Sequence, residues 1–431
     1  MSAALCMDSA PQPRRAASTR ATYVGDPGAA FITFGLGSWI SINSVGPAQW
    51  RSDHFPTPIF VQSSFLVYHL PEHWALTTWS VGDRIVVALQ LANFCVMLVL
   101  RPLVKRPAPA WALLSSMLLL LGFGACVALA AGVYRSTAWL FGAERSAGLL
   151  AMTFVAGVAS CGSSLVFYPL AAHFPRRYTT ALAIGEGLSG SIAGVLGMLQ
   201  NAGGAPQSFA MAFGLAAVLC VVSALGLMFI HRQRSTKLED DAPSSPLAAD
   251  QGSQGSVSAG QGVSPGYAGF VALFLGAALN FGLLPSLNPI ACSHYRDSQT
   301  VLLWSNAVIY GFDPISRLMT AWTSFRHLNV LTSLFSLAAL VVVLLAKWPK
   351  ALATFDQRWV VPMANVVFAT CFGYARTMAF LVLKDAPNAA RLYWIAGMVL
   401  QAGSFCGSVA SWPKVAGLQP PEFQPLAMAP L

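Results

Sequence analysis

Charge is what this sequence is poorest in. Asp, Glu, Lys and Arg make up 10% of its 431 residues, against roughly a quarter in soluble domains. A water-soluble globule of this length would lack the polar side chains to cover its surface. Metal and redox patterns are missing as well. The eight cysteines stand singly at Cys6, Cys95, Cys126, Cys161, Cys220, Cys292, Cys371 and Cys406, with no CxxC pair. Neither a zinc site nor a redox dithiol is therefore expected, and these residues read as small buried hydrophobes. No P-loop and no HExxH occurs, so no nucleotide-driven pump and no metalloprotease is indicated, and neither cofactor nor metal is expected. His173 and His294 fall far apart in the expected topology, so the paired-histidine cluster of an integral membrane enzyme is missing. The formal charge of +9 is scattered between apolar runs rather than gathered in a patch. That pattern sets membrane orientation and does not suit nucleic acid.

What the chain does have is long apolar runs, with 55% hydrophobic residues. A membrane span needs roughly 20 apolar residues. Spans are expected near 29–47, 79–100, 109–133, 147–172, 179–200, 207–230, 267–290, 300–322, 327–346, 359–383 and 389–411. The fold class is thus an all-α polytopic membrane protein of about eleven transmembrane helices. Between the sixth and seventh runs lies a different stretch. Arg232, Arg234 and Lys237 are followed by Glu239, Asp240 and Asp241, then by Gly, Ser, Gln and Ala. It reads as a flexible linker. The expected organisation is a disordered tail over 1–28, six helices over 29–231, the linker over 232–266, five helices over 267–411 and a Pro-rich tail over 412–431. For the first tail, which carries Arg14, Arg15 and Arg20, a short transit peptide is the alternative.

Orientation follows from Lys and Arg. With a cytoplasmic N-terminus, the inner segments of the first half carry Arg14, Arg15, Arg20, Arg101, Lys105, Arg106, Arg176, Arg177, Arg232, Arg234 and Lys237. The outer segments carry only Arg51, Arg135 and Arg145. An odd number of spans then leaves the C-terminus and its linked tail outside, and the plasma membrane is the expected location.

Residues 185–190 match GxGxxG, but inside an apolar span, where a dinucleotide site has no preceding strand. Helix packing is the better reading, with Gly190 and Gly194 as a GxxxG pair. Spans one and seven are interrupted. The first holds Gly35, Gly37, Ser38, Trp39 and Asn43 before Gly46-Pro47; the seventh holds Asn280, Phe281, Gly282, Pro285, Ser286, Asn288 and Pro289. Broken helices at corresponding positions of two halves point to a substrate site, although kinked packing helices would look the same. Glu186, Asp313, Arg317 and Arg376 are charges inside spans. At ~1.5 Å per residue, Glu186, Asp313 and Arg376 lie roughly 12–15 Å from the cytoplasmic end, near the midplane. An Asp313 pair with Arg317 or Arg376 is expected, with Glu186 alone across a cavity. Asn93, Tyr374 and Gln401 are polar groups within spans, suited to a ligand or to interhelical hydrogen bonds.

These residues give the chain a recognisable pattern. Phe34-Gly35-Leu36-Gly37-Ser38-Trp39 with Asn43, Leu70-Pro71-Glu72-His73-Trp74, Asn93, Phe167 with Pro169, His173 and Pro175, and Gly185 with Gly187-Leu188-Ser189 recur in order. So do Asn280, Gly282, Leu284-Pro285-Ser286, Cys292 with Tyr295, Pro314, Phe372 with Tyr374 and Arg376, and Gln401-Ala402-Gly403-Ser404. In these features the chain resembles the eukaryotic riboflavin transporters, a solute-carrier family. The resemblance implies two helical bundles, six spans plus five, akin to major-facilitator and equilibrative nucleoside transporters. It implies facilitative or proton-linked riboflavin uptake by alternating access, a small-molecule partner, a lipid surround and a monomer. Family members follow the span-one asparagine with an acidic residue; here Ser44-Val45-Gly46-Pro47-Ala48-Gln49 follows. Where animal members carry glutamine and asparagine, this chain has Glu186 and Asp313. Any proton coupling is therefore expected to have moved to one of these acids.

Riboflavin is neutral and planar, with a polyhydroxylated chain, so its site needs stacking rings and a few amides or hydroxyls. Trp39, Phe281 and Tyr374 are the expected rings; Asn43, Asn93, Asn280, Ser286, Asn288 and Gln401 are the expected polar partners. A nucleoside, nucleobase or other vitamin would need similar chemistry. An integral membrane enzyme or sensor is the reading from another class.

Overall fold

The computed structural model describes residues 27–37, 80–101, 108–140, 143–202, 208–240, 267–293, 295, 298–323, 327–348, 358–386 and 388–417. Trp39, Asn43, both outer parts of the tails and residues 241–266 lie outside them.

The described chain is almost wholly helical. The helices of the first half are α1 (Pro27–Leu36), α2 (Ser80–Leu100), α3 (Ala108–Ala130), α4 (Ala147–Ala171), α5 (Arg176–Ala202) and α6 (Ser208–Asp240). The second half holds α7 (Tyr267–Ala278), a π-helical turn (Leu279–Leu283), α8 (Leu284–Ser293), α9 (Ser298–Met319), α10 (Leu328–Lys347), α11 (Val360–Lys384) and α12 (Ala389–Gly417). One small hairpin, β1 (Ala138–Leu140) against β2 (Ala143–Arg145), caps the turn between α3 and α4. Among the described residues six stretches are long and apolar enough to cross a membrane: Ala110–Ala130, Ala147–Ala171, Ala210–Arg232, Leu328–Lys347, Val360–Lys384 and Ala389–Ala410. The two helices with the innermost charges, α5 and α9, are long enough as well, at 27 and 22 residues.

Two expected boundaries move. The stretch 232–240, expected as the start of the linker, continues α6 as helix. Its Arg, Gln, Lys, Leu and Glu residues are good helix formers and extend a helix already nucleated. Likewise α12 runs through Pro413 to Gly417, beyond the expected end at 411.

Helix contacts repeat between the halves. As α1 packs on α5, α7 packs on α12; as α2 packs on α4, α9 packs on α11; as α3 packs on α4, α10 packs on α11. The contacts between halves obey the same rule. α5 meets α9 and α11, while α12 meets α2 and α4. The two halves thus repeat one packing pattern. Burial follows it. The windows of α4 and α11 are 67% and 72% buried, and those of α3 and α10 are 39% each. The former are central. The latter turn stripes such as Val330, Leu334 and Leu337 outward, as lipid requires.

The interruptions have local causes. Pro285 has no N–H to give to the preceding turn. The ladder widens just before it, so that Leu284 N–H bonds to Leu279 O. Pro314 leaves the carbonyl of Tyr310 without its helical donor. Ser191 of α5 supplies a hydroxyl to that oxygen at 2.5 Å.

Candidate functional site

The strongest polar feature is a four-charge cluster where α5 crosses the second half. Close approach comes first. A Cβ on Gly187 would lie 3.0 Å from Pro314 Cα and 3.1 Å from Asp313 Oδ2. Gly373 of α11 faces Asp313 Oδ1 just as closely, at 2.7 Å from the position of an added Cβ. Glycine on both neighbours thus makes room for the Asp313 carboxylate. Gly185 faces α1 in the same way, against the carbonyl of Ile32. The close contacts therefore involve Gly185 and Gly187, while the expected partner of Gly190, Gly194, has no described side chain.

Glu186 projects between α9 and α11. Arg376 donates Nη2 to its Oε1 at 2.5 Å, and Arg317 donates Nη1 to its Oε2 at 2.8 Å. Tyr168 of α4 donates its hydroxyl to Oε2 at 2.7 Å. Arg317 also grips Asp313, one turn back, through Nε to Oδ1 at 3.1 Å and Nη2 to Oδ2 at 2.8 Å. Its Nη1 reaches the Ala183 carbonyl at 2.9 Å. Two acids and two bases leave the cluster neutral. Ion pairs away from water require this balance and this number of hydrogen bonds. Glu186, Arg317 and Arg376 are 4%, 3% and 2% exposed, whereas the Asp313 side chain is 25% exposed. Asp313 is therefore the less buried of the two acids.

This corrects one expectation and answers another. Glu186 is not alone; it is the first-half anchor for both arginines. The Asp313 partner is Arg317, and Arg376 turns to Glu186 instead. Arg317 is buried and turned onto both carboxylates.

At the end of the molecule where α4 joins α5 and α11 joins α12, the halves touch again. Tyr168 stacks on Phe380 with ring centroids 3.9 Å apart and planes at 11°. Tyr393 of α12 meets Phe380 edge-on at 5.4 Å, and its hydroxyl lies 3.4 Å from Thr179 Oγ1. Lys384 donates to the Ala172 carbonyl, and Arg176 pairs with Asp385 at 3.6 Å. This is the end expected to face the cytoplasm, and there the halves are closed on each other.

The other inter-half seam, α2 and α4 against α12, is joined among the described residues by hydrogen bonds between neutral groups. Asn93 donates Nδ2 to the Gln401 carbonyl at 3.1 Å and to Gln90 Oε1 at 3.3 Å. Gln90 donates to Ser408 at 2.9 Å and Ser404 at 3.3 Å, and Gln401 donates Nε2 to the Cys161 carbonyl at 3.4 Å. Asn93 and Gln401 thus come together, but in helix contact.

The remaining expected residues scatter. Asn280 and Phe281 lie half-buried on the π turn. Ser286 lies on α8 with its side chain outside the described set. Asn288 is buried and accepts a hydrogen bond from Asn365 at 3.3 Å. The Tyr374 hydroxyl is held at the end of α9, accepting from Thr323 Oγ1 at 2.9 Å and donating to its carbonyl at 3.2 Å. Trp39 and Asn43 lie outside the described residues. Sequence reading passed over Gln90 and Asn365, although each is an amide within an apolar run, which is the same signal that marked Asn93. Among the described residues no three His, Cys, Asp or Glu side chains gather as a metal site.

Comparison with known proteins covers nearly the whole chain. The family described as "Solute carrier family 52, riboflavin transporter" matches residues 29–214 and 232–419. The human protein named solute carrier family 52, riboflavin transporter, member 3 is 22% identical over 470 aligned positions, spanning 89% of this chain and 94% of that protein. Human member 2 is 24% identical over 434 positions, spanning 88% and 92%. Among solved structures, a bacterial homologue of the iron transporter ferroportin in an outward-facing state has a TM-score of 0.54 at 15% identity, covering 91% of this chain and 94% of that one. At that identity the likeness concerns the fold, a two-bundle transporter architecture.

Proposed function

This chain belongs to solute carrier family 52, the riboflavin transporters, and on that premise we propose that it carries riboflavin across a membrane by alternating access and is not an enzyme. The observation that carries this reading is the family match along both halves, at 29–214 and 232–419. The helical arrangement supports it. Two repeats in contact along two seams can rock about a central site, which is how carriers of this build expose a ligand to one side at a time. We take the bundles as 29–240 and 267–417, six spans and five, with the N-terminus cytoplasmic, the C-terminus outside, the plasma membrane as location and a lipid-surrounded monomer as the working unit.

In this reading the ionic seam works as the latch of the closed end. Glu186 belongs to the first half, and Arg317 and Arg376 to the second. Opening that end separates them and must expose or rearrange the charges. Substrate contacts are assigned to the interrupted helices, with Trp39 and Asn43 on the first and Asn280, Phe281, Ser286 and Asn288 on the seventh. Asn93 and Gln401 are assigned to the same site, and Tyr374, the third expected ring, is anchored by Thr323.

Uptake of labelled riboflavin in cells that lack flavin transport tests the proposal, with nucleosides as competitors. Saturable riboflavin uptake that excess adenosine leaves unchanged is expected. Saturable adenosine uptake without riboflavin uptake would replace riboflavin by a nucleoside as the cargo.

A further inference from the structure

Two carboxamides from adjacent helices meet inside the second half. Asn365, near the start of α11, donates Nδ2 to Asn288 Oδ1 of α8 at 3.3 Å. Asn365 is 0% exposed and Asn288 is 3% exposed. Asn365 Oδ1 has no hydrogen-bond partner, and the bond from Asn365 is the side-chain hydrogen bond seen for Asn288 among the described residues. One bond between two carboxamides consumes one donor and one acceptor. It leaves a carbonyl oxygen on one residue and an amino group on the other. Turning both amides over leaves the same remainder, so the conclusion is independent of how their oxygens and nitrogens are assigned.

Such a remainder is unfavourable in an apolar place. The next turns of α11 bring Phe368 and then Phe372, each edge-on to Phe335 with centroids 5.8 and 5.7 Å away. Leucine at both positions would fill the space and leave nothing unpaired. A buried donor and acceptor side by side are instead suited to a planar ligand edge that offers the complement. The helix carrying Asn288 begins at the π turn, where the ladder is already open and Asn280 and Phe281 are half-buried. Such turns cluster at functional sites.

We propose that Asn288 and Asn365 form a subsite for the imide edge of the flavin ring, where a C=O and an N–H are adjacent. The free amino group donates to the ring carbonyl, and the free side-chain carbonyl accepts from the ring N–H. The assignment rests on riboflavin being the cargo.

The test uses 3-methylriboflavin, in which the imide N–H is replaced by N–CH3 and the rest of the ring is kept. With the full chain in cells lacking flavin transport, 3-methylriboflavin is expected to compete with labelled riboflavin about tenfold less well than riboflavin itself, the loss of one buried hydrogen bond. In Asn365→Leu and Asn288→Leu the riboflavin KM rises, and the ratio between the two competitors falls toward unity. Wild-type discrimination that both variants retain overturns the subsite. Equal competition by the two flavins in the wild type overturns it as well. Should the leucine variants not reach the membrane, flavin-fluorescence titration of the purified wild type decides, and equal Kd values for the two flavins count against the proposal. A wild-type chain that takes up no riboflavin ends the cargo reading and the subsite together, a result distinct from uptake without discrimination.

Discussion

Glu186 joins the two halves through its carboxylate. Its carboxylate receives two guanidinium groups of the second half and the Tyr168 phenol of the first. Glu186→Gln keeps the shape and removes the charge, which leaves two buried cations facing an amide. Breaking a buried ion pair from one side costs about 3–5 kcal/mol. The purified variant should unfold at a clearly lower temperature than the wild type, and adding Arg376→Gln should recover part of the loss. An unchanged melting temperature in the single variant would mean that the cluster contributes no net stability. Asp313 is a different case, being a quarter exposed and held by one arginine. If riboflavin uptake depends on pH, Asp313, the less buried acid, is the first to test. Asp313→Asn should then flatten the uptake rate between mildly acidic and mildly alkaline medium. A wild-type pH profile in Asp313→Asn and Glu186→Gln alike would remove both acids from any coupling role. The sequence marked these four residues because charges inside apolar runs are rare. It did not say which acid met which base, because that depends on where α5 crosses α9.

At the scale of the element, that crossing depends on two small substitutions of the ordinary helix. Gly187 lets α5 come within van der Waals reach of Pro314, and Ser191 gives a hydroxyl to the carbonyl that Pro314 leaves bare. Gly187→Val should push α5 from α9 and lengthen the Glu186–Arg317 contact, with uptake lost while the protein still reaches the membrane. Uptake within twofold of wild type would show that the crossing tolerates a side chain. Ser191→Ala is milder. It orphans one carbonyl, a cost of about 1–3 kcal/mol, and should lower thermal stability less than Glu186→Gln does. The glycines at 185 and 187 were legible as packing residues from their place in an apolar run. Their partners were not, since a glycine carries no information about what approaches it. The break in the seventh span was legible from Pro285. Its form, a π turn that keeps the helix running into α8, follows from hydrogen bonds that the sequence does not display.

For the whole molecule, the two seams differ in kind. The α5 seam is ionic, and the α12 seam is built of amides and hydroxyls. Rocking between the halves separates charges at one and slides neutral hydrogen bonds at the other, so removing the charge of Glu186, Arg317 or Arg376 should act on the first. The closed end offers a direct test. Arg176 and Asp385 are exposed neighbours from opposite halves. Arg176→Cys with Asp385→Cys, joined by a short bifunctional thiol reagent, should stop uptake, and cleaving the linker should restore it. A cross-linked carrier that transports at the wild-type rate would show that these two ends do not part during the cycle.

Apolar run lengths, sparse charge and the Lys and Arg pattern were enough to specify a helical membrane protein in two sets of spans, because a bilayer admits few alternatives to that reading. They also singled out the broken and charged spans, since each such residue is costly in lipid. Only the tertiary structure decided that Glu186 is shared by Arg317 and Arg376, that Asn93 and Gln401 belong to a helix seam, and that Asn288 faces Asn365. Those pairings join residues from different helices, so each partner is set by which helices meet and, at Glu186, by how closely Gly187 lets α5 approach α9.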